Sequence, residues 1–152
     1  MFKKISIEFA HTLSQSYRIR CKSLCREIRI PQTAFDILMF LADHPGYNTA
    51  KDIVRLRGLK ANLISINVDK LVLDGYLDRQ SFPGDRRKTV LVCTPKAEPI
   101  IQKGHQLQAA FVEDIFEGVD EQSRRIFFSV IEQVERNLYA RLETFAKINV
   151  YK

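Results

Sequence analysis

Asp85, Arg86, Arg87 and Lys88 follow Pro83 and Gly84 between two short β-prone runs, "YLDRQS" and "KTVLVCT". Pro-Gly alone would reverse the chain, so the cations need a reason of their own. Three positive side chains on one loop suit a partner that presents several anions at once, such as a phosphate backbone. A hairpin kept soluble by its charge is the plainer alternative. Cys21 and Cys25 lie four apart, on one face of any helix, a spacing open to a metal or a redox switch. Two ligands do not make a site, and no nearby His or Cys completes a tetrahedral set. With Cys93 they read as free thiols, with Cys21 and Cys25 as the candidate redox pair. His11, His44 and His105 are scattered, and no HExxH, Gly-rich phosphate loop, Ser-His-Asp or paired-carboxylate pattern occurs. The chain reads as a non-enzyme without metal or cofactor.

The 152 residues are about one domain's length, with enough apolar side chains to bury a core. The net charge of +6 is unevenly spread. Residues 1–29 hold seven Lys/Arg against two Asp/Glu, residues 51–96 ten against five, and residues 97–152 seven against nine. A polyanion would meet the first two regions and protein the third. No long apolar run occurs and the N-terminal stretch breaks early into charge, so a soluble, cytoplasmic protein is expected.

The elements that must position these residues follow from apolar spacing. Residues 3–26 place Phe9, Leu13, Tyr17 and Leu24 on one helical stripe. "IPQTAFDILMFLADHPG" reads as a helix with Phe35, Ile37, Leu38 and Leu41 on a broad apolar face, stopped at His44-Pro45-Gly46. "NTAKDIVRLRG" is a short helix capped by Asn48 or Thr49 and ended at Gly58. Residues 60–74 follow at once, with Ile64, Val68 and Leu71 as the buried stripe. Helix, tight turn, helix, then a hairpin over residues 78–94 is the order of a winged helix-turn-helix domain. The rest reads as two helices, the second N-capped by Asp120 and striped with Phe127, Ile131, Val134, Leu138, Leu142 and Phe145. So long a stripe needs a partner along its length. The expected fold is mainly α with a small β-hairpin wing (α+β): residues 1–29 a dimerisation helix, 30–96 the winged helix-turn-helix, and 97–152 dimerisation helices, within one compact chain.

Across nearly its whole length this chain resembles the MarR family of bacterial transcriptional regulators. The resemblance is carried by "PQTAFDILMFLADHPG", "TAKDI", "ANLISINVDKLVLDGYL", the "DGYLDR" junction and the "PGDRRKTVLV" wing. "LVCTPKAEPII" stands where relatives usually read Leu-Thr, two variable positions and Gly. The resemblance implies a homodimer with interlocking terminal helices, whose two winged domains straddle a near-palindromic DNA site.

In such a fold the 60–74 helix enters the major groove and the hairpin the adjacent minor groove, whose negative potential attracts arginine. Asn62, Ser65 and Asn67 are the candidates for base edges, and Lys60, Lys70, Arg86, Arg87 and Lys88 for the DNA backbone and grooves. Gly84 makes the reversal, and by resemblance Asp85 pairs with an arginine to shape the wing. Leu63 and Ile66 either contact thymine methyl groups or pack inside; relatives often have a polar or basic residue where Ile66 stands. Arg18, Arg20, Lys22, Arg26 and Arg29 flank DNA, pair across a dimer, or are simply solvated. The family's ligands are small aromatic or lipophilic molecules held between the dimerisation helices and the winged domain. Phe9, His11, Tyr17, Phe111 and Phe116 are candidates to line such a cleft, or are ordinary core. The family's thiol sensors place their cysteine earlier relative to the "PQ" helix than Cys21 or Cys25. The expected function is a homodimeric repressor of a pseudo-palindromic operator, released by a small ligand. The alternatives are a thiol-based redox regulator and a winged-helix protein-interaction module that does not bind DNA.

Overall fold

The computed structural model describes residues 7–149. The chain divides into two compact units, Met1–Phe111 and Val112–Lys152.

The first unit is built around a helix that is apolar on nearly every side. α1 (Ile7–Ile28) leads into α2 (Gln32–Asp43), and Ala34, Phe35, Ile37, Leu38, Met39, Phe40 and Leu41 of α2 are all buried. Such a helix has no solvent face to spare, so other elements must surround it. Burying one large side chain of this kind contributes about 1.5–3 kcal/mol, which makes α2 the main source of core stability. Around it pack Cys21, Leu24 and Cys25 of α1, Ile53 of α3 (Ala50–Arg57), and Ile64, Val68 and Leu71 of α4 (Ala61–Leu73). Leu77 of β1 (Leu77–Phe82), Leu91 of β2 (Asp85–Cys93), and Ile100 and Ile101 of α5 (Glu98–Ile115) complete the cluster. Gly104 of α5 is a point of close approach, where a Cβ would run into the Met39 sulfur.

Local signals set the boundaries. Thr49 caps α3 through a reciprocal box: its hydroxyl accepts the Asp52 amide at 3.1 Å, and the Asp52 carboxylate accepts the Thr49 amide at 3.1 Å. Thr49, rather than Asn48, is therefore the cap. The carbonyl of Asn48 instead accepts the Leu91 amide at 2.7 Å, tying the loop before α3 to the hairpin.

The second unit contains the end of α5 and α6 (Glu121–Asn149). Asp120 starts α6 as expected, accepting from the Ser123 amide at 3.0 Å, and its bonds to Ser123 hold its carboxyl below the usual range. Arg124 braces the turn by donating to the carbonyls of Phe116 at 2.8 Å and Val119 at 3.1 Å and by pairing with Glu113 at 2.9 Å. Phe116, Phe127 and Phe128 form a small ring cluster, with centroids 5.1–5.7 Å apart. Beyond it the expected α6 stripe stands exposed at Val134, Leu138, Leu142 and Phe145.

Asp36 of α2 is a carboxylate drawn in beside this core. Burial pushes its carboxyl up to about 6, against the pull of the Arg57 and Arg18 guanidiniums. The folded state thus holds the Asp36 proton more tightly than the unfolded chain does. The stability associated with that proton is complete below about pH 4 and is lost as the pH rises through about 6. Asp36→Asn should therefore stabilise the protein at pH 7.5 by roughly 2 kcal/mol and change nothing near pH 4. Thermal melts of both proteins at several pH values check this. An equal difference at every pH would assign the effect to packing.

Candidate nucleic-acid interface

The packing of α4 decides which residues it shows to solvent. Ile64, Val68 and Leu71 are buried, so the opposite side carries Asn62, Ile66, Asp69 and Leu73, at spacings of four, three and four. Lys60 precedes the helix as its N-cap residue, and Lys70 sits on its flank; both are exposed. Asn62 is exposed, with its side-chain oxygen accepting the Leu63 amide at 2.8 Å, which leaves its amide hydrogens free to donate. Ser65 is exposed as well.

Asn67 corrects the sequence reading. It is 7% exposed, and its side-chain amide donates to the Leu63 carbonyl one turn back at 2.9 Å. This bond satisfies a polar group on the buried side, so Asn67 belongs to the helix's inner surface and not to its exposed face. Leu63 and Ile66 face outward, at 39% and 64% exposure.

The hairpin turns through Pro83 and Gly84. Gly84 has φ of 88°, a left-handed conformation open to glycine at little cost. Asp85 does shape the wing, but through backbone: its carboxylate accepts the Arg87 amide at 2.9 Å. A carboxylate bound to an amide two residues on is an Asx turn, and it leaves the Arg87 guanidinium free of that contact. Arg86 and Arg87 are exposed on β2 and form no ion pair with any described residue. Lys88 lies 4.4 Å over the Phe82 ring across the hairpin, which steadies the wing tip.

Arg79 of β1 forms an ion pair with Asp69 of α4, joining the hairpin to the exposed side of the helix. At the hairpin's base Thr94 donates to the Gly75 carbonyl at 2.6 Å and Lys96 to the Asp74 carbonyl at 2.7 Å. Helix and wing are therefore held in register by side chains near the base of the hairpin. Between α3, α4 and the two strands lies a hollow of about 390 Å³, bordered by Lys51, Ser65, Arg79 and Thr89 over an apolar floor. Sequence reasoning missed this feature because its lining comes from four elements with no shared spacing.

The candidate ligand residues are not gathered in this way. Phe9 and His11 stand exposed on α1, while Tyr17 and Phe111 meet edge to face at 5.5 Å. Phe116 lies in the second unit with Phe127 and Phe128. Among the described residues of the first unit, the Tyr17–Phe111 pair is what remains of the set. Burial raises the Tyr17 hydroxyl well above its ordinary value. Among the described residues no group of three His, Cys, Asp or Glu could hold a metal ion. No described helix is long and apolar enough to cross a membrane.

Cys21 and Cys25 are buried against α2, where desolvation pushes both thiols up, Cys25 to about 11. Thiols kept protonated and out of water are poor nucleophiles, which is the opposite of a sensor's setting.

An exposed helix and a cationic hairpin set side by side on a helical core define a winged helix-turn-helix protein. Residues 30–88 match the MarR family. The HTH-type transcriptional regulator BilQ of Clostridium symbiosum is 20% identical over 128 residues, spanning 84% of this chain and 88% of that protein. A MarR crystal structure superposes with a TM-score of 0.74 at 17% identity, covering 94% of this chain and 98% of the other. A MarR transcriptional regulator from Methanosarcina mazei Go1 does so with a TM-score of 0.72 at 22% identity, covering 91% and 99%. Residues 30–88 thus resemble the MarR family, and the chain has the winged helix-turn-helix fold of the MarR structures.

A thiol reagent at neutral pH should label Cys21 and Cys25 at least about tenfold more slowly in the native protein than in denaturant. Fast native labelling of either, read by mass spectrometry, would restore the redox reading.

Proposed function

We propose that this protein is a homodimeric repressor that binds a pseudo-palindromic operator. The α4 helix, residues 60–74, enters the major groove, and the hairpin, residues 78–94, reaches the adjacent minor groove. The observation that carries this reading is the set of exposed cations, Lys60 and Lys70 on the helix and Arg86 and Arg87 on the hairpin, on elements that pairing and packing hold in register. A helix of this width fits the major groove, and unpaired arginines on a narrow hairpin suit the minor groove's potential. The exposed α6 stripe supports the dimer, since a 29-residue helix with Val134, Leu138 and Phe145 open needs a second apolar surface. In a dimer the two α4 helices must stand about 34–36 Å apart to read successive grooves, so a small change in their spacing weakens both half-sites together. Release by a small aromatic or lipophilic ligand fits this geometry. The hollow between α3, α4 and the strands adjoins both DNA-facing elements, and an occupant there would disturb their register.

A second reading, a winged-helix module that docks on protein, is favoured by the exposed Ile66 and Leu63. Salt dependence separates the two. Binding to duplex DNA from upstream of the protein's own gene should weaken steeply with salt. Arg86→Ala/Arg87→Ala should flatten the slope by roughly three to four, because a dimer then has four fewer cations on the phosphates. Equally weak, salt-insensitive binding by both proteins refutes operator binding at that site. Val134→Glu/Leu138→Glu should give a monomer by analytical ultracentrifugation and abolish tight DNA binding; a dimer that persists would place the interface elsewhere.

A further inference from the structure

We infer that the reading face of α4 selects A·T pairs through thymine methyl groups, with Ile66 as the principal contact and Leu63 beside it. This rests on the DNA-binding reading above and goes beyond it by naming the base that the helix recognises. Ile66 lies at the centre of the exposed side of α4, in line with Asn62 and Asp69, and is 64% exposed. Its neighbours toward the core, Ile64, Val68 and Leu71, already fill the inner surface, so folding makes no use of the Ile66 side chain.

The other residues on the same side narrow the choice of base. Asp69 is engaged by Arg79, which neutralises the one carboxylate of α4 that could accept from cytosine. No arginine occurs in α4, and arginine is the commonest bidentate reader of guanine. Lys60 is the N-cap residue, and Lys70, one turn beyond Ile66, lies in the last turn of α4, away from the N-terminal part that reads bases in such helices, so both suit backbone phosphates. Asn62 remains, with an amide that matches adenine, and the apolar pair matches the 5-methyl group of thymine. All three belong to A·T pairs. The wing points the same way, because arginine favours the narrow minor groove of A·T-rich DNA.

The test starts from the full-length protein and a pool of random duplexes. In the enriched sequence each thymine is replaced in turn by uracil, which removes the methyl group and leaves every hydrogen-bonding atom in place. Binding to wild type should fall about fourfold at one or more major-groove thymines per half-site, the effect of one buried methyl group. Ile66→Ala should bind thymine and uracil duplexes alike at those positions while keeping the wild-type salt slope, which shows the fold and phosphate contacts to be intact. Uracil tolerated at every thymine, or fourfold discrimination retained by Ile66→Ala, would overturn the inference while leaving operator binding in place. Failure to enrich any duplex would overturn the DNA-binding reading and this inference with it, and would leave Ile66 as a protein-docking residue.

Discussion

The burial of Ile64, Val68 and Leu71 against α2 is the constraint on which the rest depends. A helix has one rotation about its axis once three side chains at spacings of four and three are fixed, and that rotation decides what remains outside. Had the stripe been one residue out of phase, Asn62 and Ile66 would move round toward the flank. The apolar core around α2 is thus also the device that aims the exposed face of α4. The wing inherits its position from the same packing, since Leu77 and Leu91 of the hairpin enter the same cluster and Asn48 ties β2 to the loop before α3.

Charge acts on a second level. The core fixes the helix and hairpin coarsely, and the Asp69–Arg79 pair holds them in register at the exposed edge. A surface ion pair contributes little to stability, about 1 kcal/mol or less. Its larger consequence here is chemical. It takes a carboxylate off a face that would otherwise repel phosphate and takes one arginine out of the pool of free cations. Arg86 and Arg87 are left as wing cations with no ion-pair partner among the described residues, and an unpaired guanidinium on a narrow hairpin is a ligand for an anion.

Most of the fold was legible in the sequence because its signals are periodic or local. The buried stripe of α4, the Gly58 stop, the Thr49 cap, the Pro83-Gly84 turn and the Asp120 cap each rest on residues within a few positions of one another. The site was legible where exposure follows from that periodicity, as at Asn62, Ser65 and Arg86. It was not legible where a side chain chooses a backbone partner. Asn67 reads as polar and therefore outward, yet a bond to the Leu63 carbonyl lets it sit inside. Asp85 reads as a partner for arginine, yet its carboxylate accepts the amide two residues on, a bond that leaves the long arginine side chain unordered. The hollow beside α4 has no sequence signature, because its border is assembled from four elements spread over residues 50–91.

The two units of the chain use apolar surface in opposite ways. In the first, nearly every large apolar side chain of α2 is satisfied within the chain, and Ile66 is among the few large apolar side chains of the unit that the core leaves outside. In the second, α6 carries a full stripe of apolar residues at spacings of three and four over much of its length, with much of it exposed. A few apolar side chains among polar ones, as Leu63, Ile66 and Leu73 stand on α4, have the scale of a methyl group or a base edge, whereas a stripe several turns long has the scale of another helix. Size therefore separates the two roles. On the proposed reading the long stripe sets where a second chain lies, and Ile66 on α4 discriminates among partners only after charge has brought one close.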